Sequence, residues 1–430
     1  MTPSNNQPKD QTHVFQPPKG TRDFYPLELA RRRWIEDKWR QTAIRHGFDE
    51  IDGPTFEHLD LYTVKSGEGI VSELFSFTRQ GGDKRYALRP EFTPTLARMA
   101  AARANSLPKP TKWFSICPYF RAENPQRGRL REFLQWNVDV IGDDSPEADA
   151  ECIAACAGML EQLGCTPEQI KLRVSSRPAV AGMLERAGVT VDQTDAAFAL
   201  LDKRDKLDPT EFQRQAGAIK LDINAYDRMA SDTGSIESIN AVESCLRSMS
   251  AFQWCEIDLS IVRGLAYYTG TVFEVHETTG AERAIAGGGR YDNLIELFNG
   301  PPTPAVGFAM GDVVLSLVLQ DKGLMPSDEQ IAQDLGLRPD VYVIPTKETE
   351  RLVKPLVAKL RREGMHARHT YKSTRNVGKL LKEANNAHAR FALILESDAT
   401  CTIKNLDSGE QEENVPTDEA IARITPPFTE

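Results

Sequence analysis

The apolar positions along the first third of the chain switch between two periods. Leu27, Leu29, Trp34, Ile35, Trp39 and Ile44 recur at roughly 3.6-residue spacing, which predicts a long helix stopped at His46-Gly47. Strand-like runs at 74–77 and 85–88 lead into a helix across 95–102. Two β-rich runs follow, KWFSICPYFR at 112–121 and EFLQWNVDVIG at 132–142. The polar link AENPQRGRLR between them predicts an antiparallel hairpin with a long tip. Pro118 has no N–H to give a ladder, so it belongs beside an edge or a bulge.

Residues 146–163 return to helical spacing. From 177 to 250 the text is polar and helix-rich, and we read it as an inserted helical subdomain. Strand-like runs reappear at 256–261 and 271–276; the apolar run VGFAMGDVVLSLVLQ after them reads as a buried helix. Beyond a linker at 326–338, VYVIPT, a helix near 348–363, a short strand near 366–370, a helix near 376–386 and FALILE alternate. Such alternation predicts a separate small α/β domain with a mostly parallel sheet. The expected organisation is a disordered tail at 1–18, a main domain at 19–325, the linker, and a second domain at 339–430.

Composition changes this picture in a few places only. With 52 Lys and Arg against 62 Asp and Glu, the 430-residue chain carries a formal charge of −10, which argues against a wholesale basic nucleic-acid binder. The average hides a split: residues 338–390 hold 13 Lys and Arg against 5 acidic residues, whereas 391–430 hold 2 against 9. A basic half-domain suits a polyanion, and a solvated helix face accounts for the same pattern. No apolar run approaches the roughly 18 residues of a membrane span, and the polar N-terminus has no apolar leader region. Seven scattered cysteines without a CxxC pair fit a reducing, cytoplasmic setting, and with no HExxH we expect no protein-bound metal.

Four clusters carry candidate chemistry. At the hairpin, Arg121 and Glu123 close the first strand, Arg127, Arg129 and Arg131 crowd the tip, and Phe133 and Gln135 open the return strand. Guanidiniums on a rigid frame bind carboxylate or phosphate in forks and stabilise charge developing in nucleotidyl transfer, while an aromatic ring can stack a base. An exposed basic turn explains the spacing equally well. In Arg89-Pro90-Glu91-Phe92-Thr93, Glu91 can hold an ammonium group, or the segment caps the helix beginning near Pro94. The run 263–270, RGLAYYTG, suits a polar pocket, although Tyr267 and Tyr268 are also ordinary core residues. Gly287-Gly288-Gly289-Arg290-Tyr291-Asp292 permits close backbone approach to a ligand or makes a tight turn, and fits neither common phosphate-loop spacing.

Taken in order, PPKGTRDFYP, FDEIDGPTFEHLDLY, ALRPEFT, the hairpin, VRGLAYYTGTVFEV, AGGGRYDNL and PAVGFAMG resemble the histidyl-tRNA synthetases, a class II aminoacyl-tRNA synthetase family, over about 19–424. The hairpin resembles class II motif 2, residues 49–63 resemble motif 1 at a dimer interface, and RGLAYYTG resembles a histidine-specific motif. The resemblance implies an α+β core with an antiparallel catalytic sheet flanked by helices, a helical insertion, and a C-terminal α/β anticodon-binding domain. It implies that histidine and ATP form histidyl-adenylate, after which histidine passes to the 3′ end of tRNA(His), in a homodimer. By position, Glu91, Thr93, Arg121, Gln135, Asp139, Arg263, Tyr267, Tyr268 and Tyr291 match the histidine pocket. Arg121, Glu123, Arg129 and Phe133 match the ATP side, with Arg121 and Arg263 as the catalytic pair. Mg²⁺ is expected on the ATP phosphates, held chiefly by phosphate oxygens and water.

Two positions depart from the family. Its common Asp within RGLDYY is Ala266 here, and the arginine of motif 3, which holds the γ-phosphate, is replaced by Val314. The substitution leaves open either weakened ATP binding or a substitute base such as Arg129 or Arg131. With the rest of the pocket intact, we expect a histidine–tRNA ligase. The rival is a synthetase-like, histidine-sensing regulatory subunit of ATP phosphoribosyltransferase without charging activity.

Overall fold

The computed structural model describes residues 15–66, 68–204, 207–231, 236–263 and 267–425, so Ala266 and most of the expected tail lie outside it. Among these residues the chain forms two compact units, one of 15–24 with 35–325 and one of 25–34 with 326–425. In the first unit the strands, in chain order, are β1 (Asp49–Glu50), β2 (Phe56–His58), β3 (Ser76–Thr78) and β4 (Arg85–Leu88). They continue with β5 (Thr111–Phe120), β6 (Glu132–Ile141), β7 (Ile170–Ser176), β8 (Cys255–Ile257), β9 (Thr271–Glu277), β10 (Ala286–Arg290) and β11 (Ala305–Gly311).

Eight of these make one mixed sheet in the order β1-β5-β6-β11-β10-β9-β7-β8. Its inner pairings are antiparallel, and β1 and β8 add parallel to its two edges. β5 and β6 form the expected hairpin, in register from Thr111 opposite Ile141 to Phe120 opposite Glu132. Pro118 lies beyond the short pairing of β5 with β1, and its carbonyl accepts from Arg89 Nε at 2.9 Å rather than joining a second ladder.

One face of the sheet is apolar because alternate strand residues point the same way. Trp136 stacks on Trp39 at 6.3 Å and meets Phe308 edge-on at 5.1 Å. The helix Pro146–Gln162 covers this face with alanines and the fully buried Cys152 and Cys156, whose small size permits close approach to the sheet. Helices at Arg177–Arg186, Thr194–Leu201, Pro209–Ala218, Ile223–Ala230 and Glu237–Ser248 pack around a core including Val180, Leu184, Phe198 and Tyr226. β2, β4 and β3 form a separate three-stranded sheet.

Several sequence expectations are corrected. The helix Pro26–Arg45 forms, but Leu27 and Ile44 are exposed, so its buried stripe is narrower than the apolar pattern suggested. AGGGR is not a turn but the buried strand β10. VGFAMG is the strand β11, and only Asp312–Asp321 is helical; a short apolar run looks alike in either state, and the chain changes state at Gly311.

The second unit carries a five-stranded sheet of β12 (Val341–Pro345), β13 (Ala367–His369), β14 (Phe391–Leu395), β15 (Thr400–Asn405) and β16 (Gln411–Pro416), ordered β13-β12-β14-β15-β16. β12 pairs in parallel with β13 and β14, but β14-β15-β16 is antiparallel, so the sheet is mixed rather than mostly parallel. The span expected to be a linker contains the helix Asp328–Asp334, capped by Ser327, whose hydroxyl accepts from Gln330 N at 3.2 Å.

Arg290 locks the end of β10. Its guanidinium meets Asp149 at 3.1 Å, Asp292 at 3.2 Å and the carbonyls of Asp143 and Ser145 at 2.9 and 3.1 Å. Burial pushes Asp149 up to about 6 even against this partner. Arg290→Met strands a buried carboxylate, so we expect a loss of about 3–5 kcal/mol. A urea midpoint unchanged near neutral pH would contradict this.

Candidate active site

The face of the eight-stranded sheet opposite the apolar one floors a cavity of about 840 Å³. Phe133, Gln135, Asn137 and Asp139 alternate along β6 and all line it. Opposite the last three, β11 places Gly311, Ala309 and Gly307, and β10 follows with Gly287 and Gly289. The middle of the floor is therefore almost bare backbone. Charged groups from the surrounding elements lie across it. A Cβ on Gly307 would fall 2.1 Å from Asp139 Oδ1, and one on Gly287 would fall 2.1 Å from Arg263 Nη1. A side chain at either position would displace the charged group that lies over it.

Arg263 has φ +46, a left-handed conformation that is unfavourable for a non-glycine residue. Its Nη1 is held at 2.8 Å by Glu274 of β9, and Glu274 accepts His276 at 2.9 Å on its other oxygen. Burial would raise the Glu274 carboxyl, but the His276 hydrogen bond and the Arg263 charge together pull it down to about 2. Asp139 is in the opposite condition. Burial raises it to about 7, and the hydroxyl of Tyr291 that donates to it offsets only part of that rise. Tyr267 packs against Tyr268 at 4.7 Å and edge-on to Tyr291 at 6.1 Å, closing one wall.

Glu91 and Thr93 line the cavity, and the helix Thr93–Arg103 begins after Phe92 with no side-chain cap, so the capping account of this segment is set aside. Arg121 donates from Nε to the Pro90 carbonyl at 3.1 Å and lies 5.1 Å from the Phe133 ring centre. Every expected site residue lines the one cavity except Glu123, which pairs with the cavity residue Arg129. Arg127 and Arg131 do not line it. Arg127 is engaged by Glu282 and Asp321; Arg131 donates to the carbonyls of Glu123 and Lys19. Val314 does line the cavity, and sequence reasoning missed Glu274, His276, Asn137 and Arg283, which line it too. Glu274 and His276 were legible as alternate positions of a strand; Arg283, on the β9–β10 loop, had no pattern to betray it.

The N-terminal segment braces this hairpin. Gly20 O accepts from Arg131 N at 2.8 Å, and Arg22 reaches Asp312 at 2.7 Å. Asp312 in turn accepts from Leu134 N at 2.9 Å. In the second unit the basic and acidic halves partly neutralise each other through Arg338–Asp407, Arg351–Asp398 and Lys359–Asp418. Tyr371 remains 88% exposed, its ring 4.6 Å from His369.

A family model described as histidyl-tRNA synthetase matches residues 20–312, and one described as an anticodon binding domain matches 340–425. The histidine–tRNA ligase of Halobacterium salinarum is 39% identical over 91% of this chain and 94% of its own length. That of Pyrococcus abyssi is 35% identical over 94% and 97%. The crystal structure of histidyl-tRNA synthetase from Nostoc sp. PCC 7120 covers 95% of this chain and 99% of its own, with a TM-score of 0.74 at 23% identity, a likeness of fold.

The raised Asp139 carboxyl has a consequence for stability. Its folded value of about 7 exceeds the unfolded value near 3.9, so between these pH values the folded chain holds more proton than the unfolded one. Stability from this group therefore falls as pH rises from about 4 to 7. Melting the ligand-free parent and Asp139→Asn side by side at pH 5 and pH 8 should show the parent losing ground to the variant. Parallel curves would sink the assignment.

Proposed function

The chain belongs to the histidyl-tRNA synthetase family, and from that premise we propose how its cavity joins histidine to ATP. It is an ATP-dependent ligase that attaches histidine to tRNA, and the regulatory-subunit alternative is not favoured, since ligases match it over more than nine-tenths of its length. In our reading Glu91 and Asp139 take the α-ammonium of histidine, whose charge stabilises ionised Asp139. Thr93, Gln135 and the hydroxyls of Tyr267, Tyr268 and Tyr291 supply the surrounding hydrogen bonds, including those to the imidazole. Phe133 stacks the adenine, and Glu123 and Arg129 face the nucleotide.

The observation that carries this reading is the convergence of Arg121 and Arg263 on one glycine-floored cavity with three carboxylates, Glu91, Asp139 and Glu274, and three tyrosines. In the first step a histidine carboxylate oxygen attacks the α-phosphorus and the bond to the β-phosphate oxygen breaks, so pyrophosphate leaves with the electron pair. In this reading Arg121 and Arg263 offset the charge that builds on the α-phosphate. In the second step the terminal ribose hydroxyl of tRNA attacks the acyl carbon, and AMP leaves. Mg²⁺, when bound with the nucleotide, would neutralise phosphate charge and be held chiefly by phosphate oxygens and water, since the cavity's Glu274 is engaged by Arg263 and His276.

We also assign a homodimer and a cytoplasmic location, where tRNA is charged. Support for the dimer is the exposed aromatic face of the β2-β4-β3 sheet, where Phe56 and Phe77 are half-exposed and Tyr86 packs against both. No described helix is long and apolar enough to cross a membrane.

Purified protein should catalyse histidine-dependent ATP–pyrophosphate exchange and charge tRNA(His); a folded protein doing neither refutes the reading. Arg263→Ala should slow exchange on the order of 10²–10³-fold while histidine affinity changes only a few-fold, and equal losses in both would deny it a transition-state role. By sedimentation the parent should weigh twice its 47.9 kDa, and Phe56→Glu with Phe77→Glu should halve that mass. A parent that sediments as a monomer rules out the assigned interface.

A further inference from the structure

Val314 leaves the nucleotide end of the cavity one guanidinium short of its family, and the structure supplies a different one beside it. Gly128, at the hairpin tip with φ +73, is overlain by two side chains. A Cβ there would meet Val314 Cγ2 at 3.3 Å and Arg283 Cδ at 3.6 Å. Arg283 comes from the β9–β10 loop, yet it stands over the same glycine as the residue that replaces the motif 3 arginine. The neighbouring Glu282 holds the loop there, since its carboxylate accepts from Arg127 Nε of the hairpin tip at 2.7 Å.

The other arginines around the tip are engaged. Arg127 is paired with Glu282 and Asp321, Arg131 donates to two backbone carbonyls, and Arg129 pairs with Glu123. Arg131, expected as a possible substitute base, therefore does not face the cavity. Arg283 lines the cavity and forms no ion pair or side-chain hydrogen bond with any described residue. Partial burial and the like charge of Arg129 both lower its proton affinity, with Glu123 opposing. Such an excess of positive charge at a cavity mouth is relieved by a polyanion.

We propose that Arg283 replaces the missing motif 3 arginine and binds the terminal phosphates of ATP. The inference rests on the cavity being the ATP site. It makes Arg283 a binding and positioning residue for the pyrophosphate leaving group, with the reaction at the α-phosphate left to Arg121 and Arg263.

The test compares ATP and AMP, which share the adenosine and α-phosphate but differ in the groups Arg283 is assigned. Calorimetry on the full-length parent, Arg283→Ala and Arg283→Lys should show ATP affinity falling about tenfold in the alanine variant and less in the lysine variant, with AMP affinity within about twofold throughout. In exchange assays the KM for ATP should rise by a similar factor while that for histidine holds. Equal losses for ATP and AMP, or unchanged ATP affinity, would overturn the proposal. A parent that binds ATP but catalyses no exchange defeats the ligase reading and leaves the role of Arg283 to stand on the ATP–AMP comparison; a parent that binds no ATP defeats both.

Discussion

The site depends on missing side chains. β10 and β11 run through the centre of the sheet and bring Gly287, Gly307, Ala309 and Gly311 to the cavity, which lets groups rooted on other elements lie across them. Asp139 occupies the space where a Gly307 side chain would stand, and Arg263 the space of a Gly287 side chain. Everything that distinguishes the cavity electrostatically follows from that access. Asp139 is raised because it is buried, and the hydroxyl of Tyr291 that donates to it offsets part of that rise. Arg263 keeps its strained backbone because Glu274 anchors its guanidinium over bare strand.

How much of this was legible depended on whether the signal was periodic. The hairpin and its inward-facing residues could be read because alternation along β6 puts Phe133, Gln135 and Asp139 on one face, and the histidine-pocket residues were legible through motif resemblance. The glycine run of β10 was ambiguous, since glycine marks tight turns and close approach with the same letter; only the neighbouring strands decide which applies. β11 was hidden because a seven-residue apolar strand flowing into an apolar helix shows no break in hydrophobicity. Arg283 lay beyond any such reading: its position is set by a loop tethered through Glu282, and loops have no period.

Charge was misleading in a different way. In sequence, the second unit divides into a basic and an acidic half, which suggests a strong positive face. Folding brings parts of the two halves together, since Arg338, Arg351 and Lys359 take acidic partners from the far end of the segment. The positive field of the domain is therefore more local than its composition implies.

The brace across the hairpin fixes an order of events during synthesis. Arg22 has its partner 290 residues later in the chain, at Asp312. Asp312 also secures Leu134, 178 residues earlier in the chain. The hairpin can pair early, through neighbours close in sequence, yet its last restraints arrive only when the strand-to-helix junction at Gly311 emerges. A nascent or prematurely terminated chain thus holds most of the pocket's residues without the clasp that sets them. Completion of the pocket's frame therefore waits on the strand-to-helix junction rather than on the hairpin's own pairing.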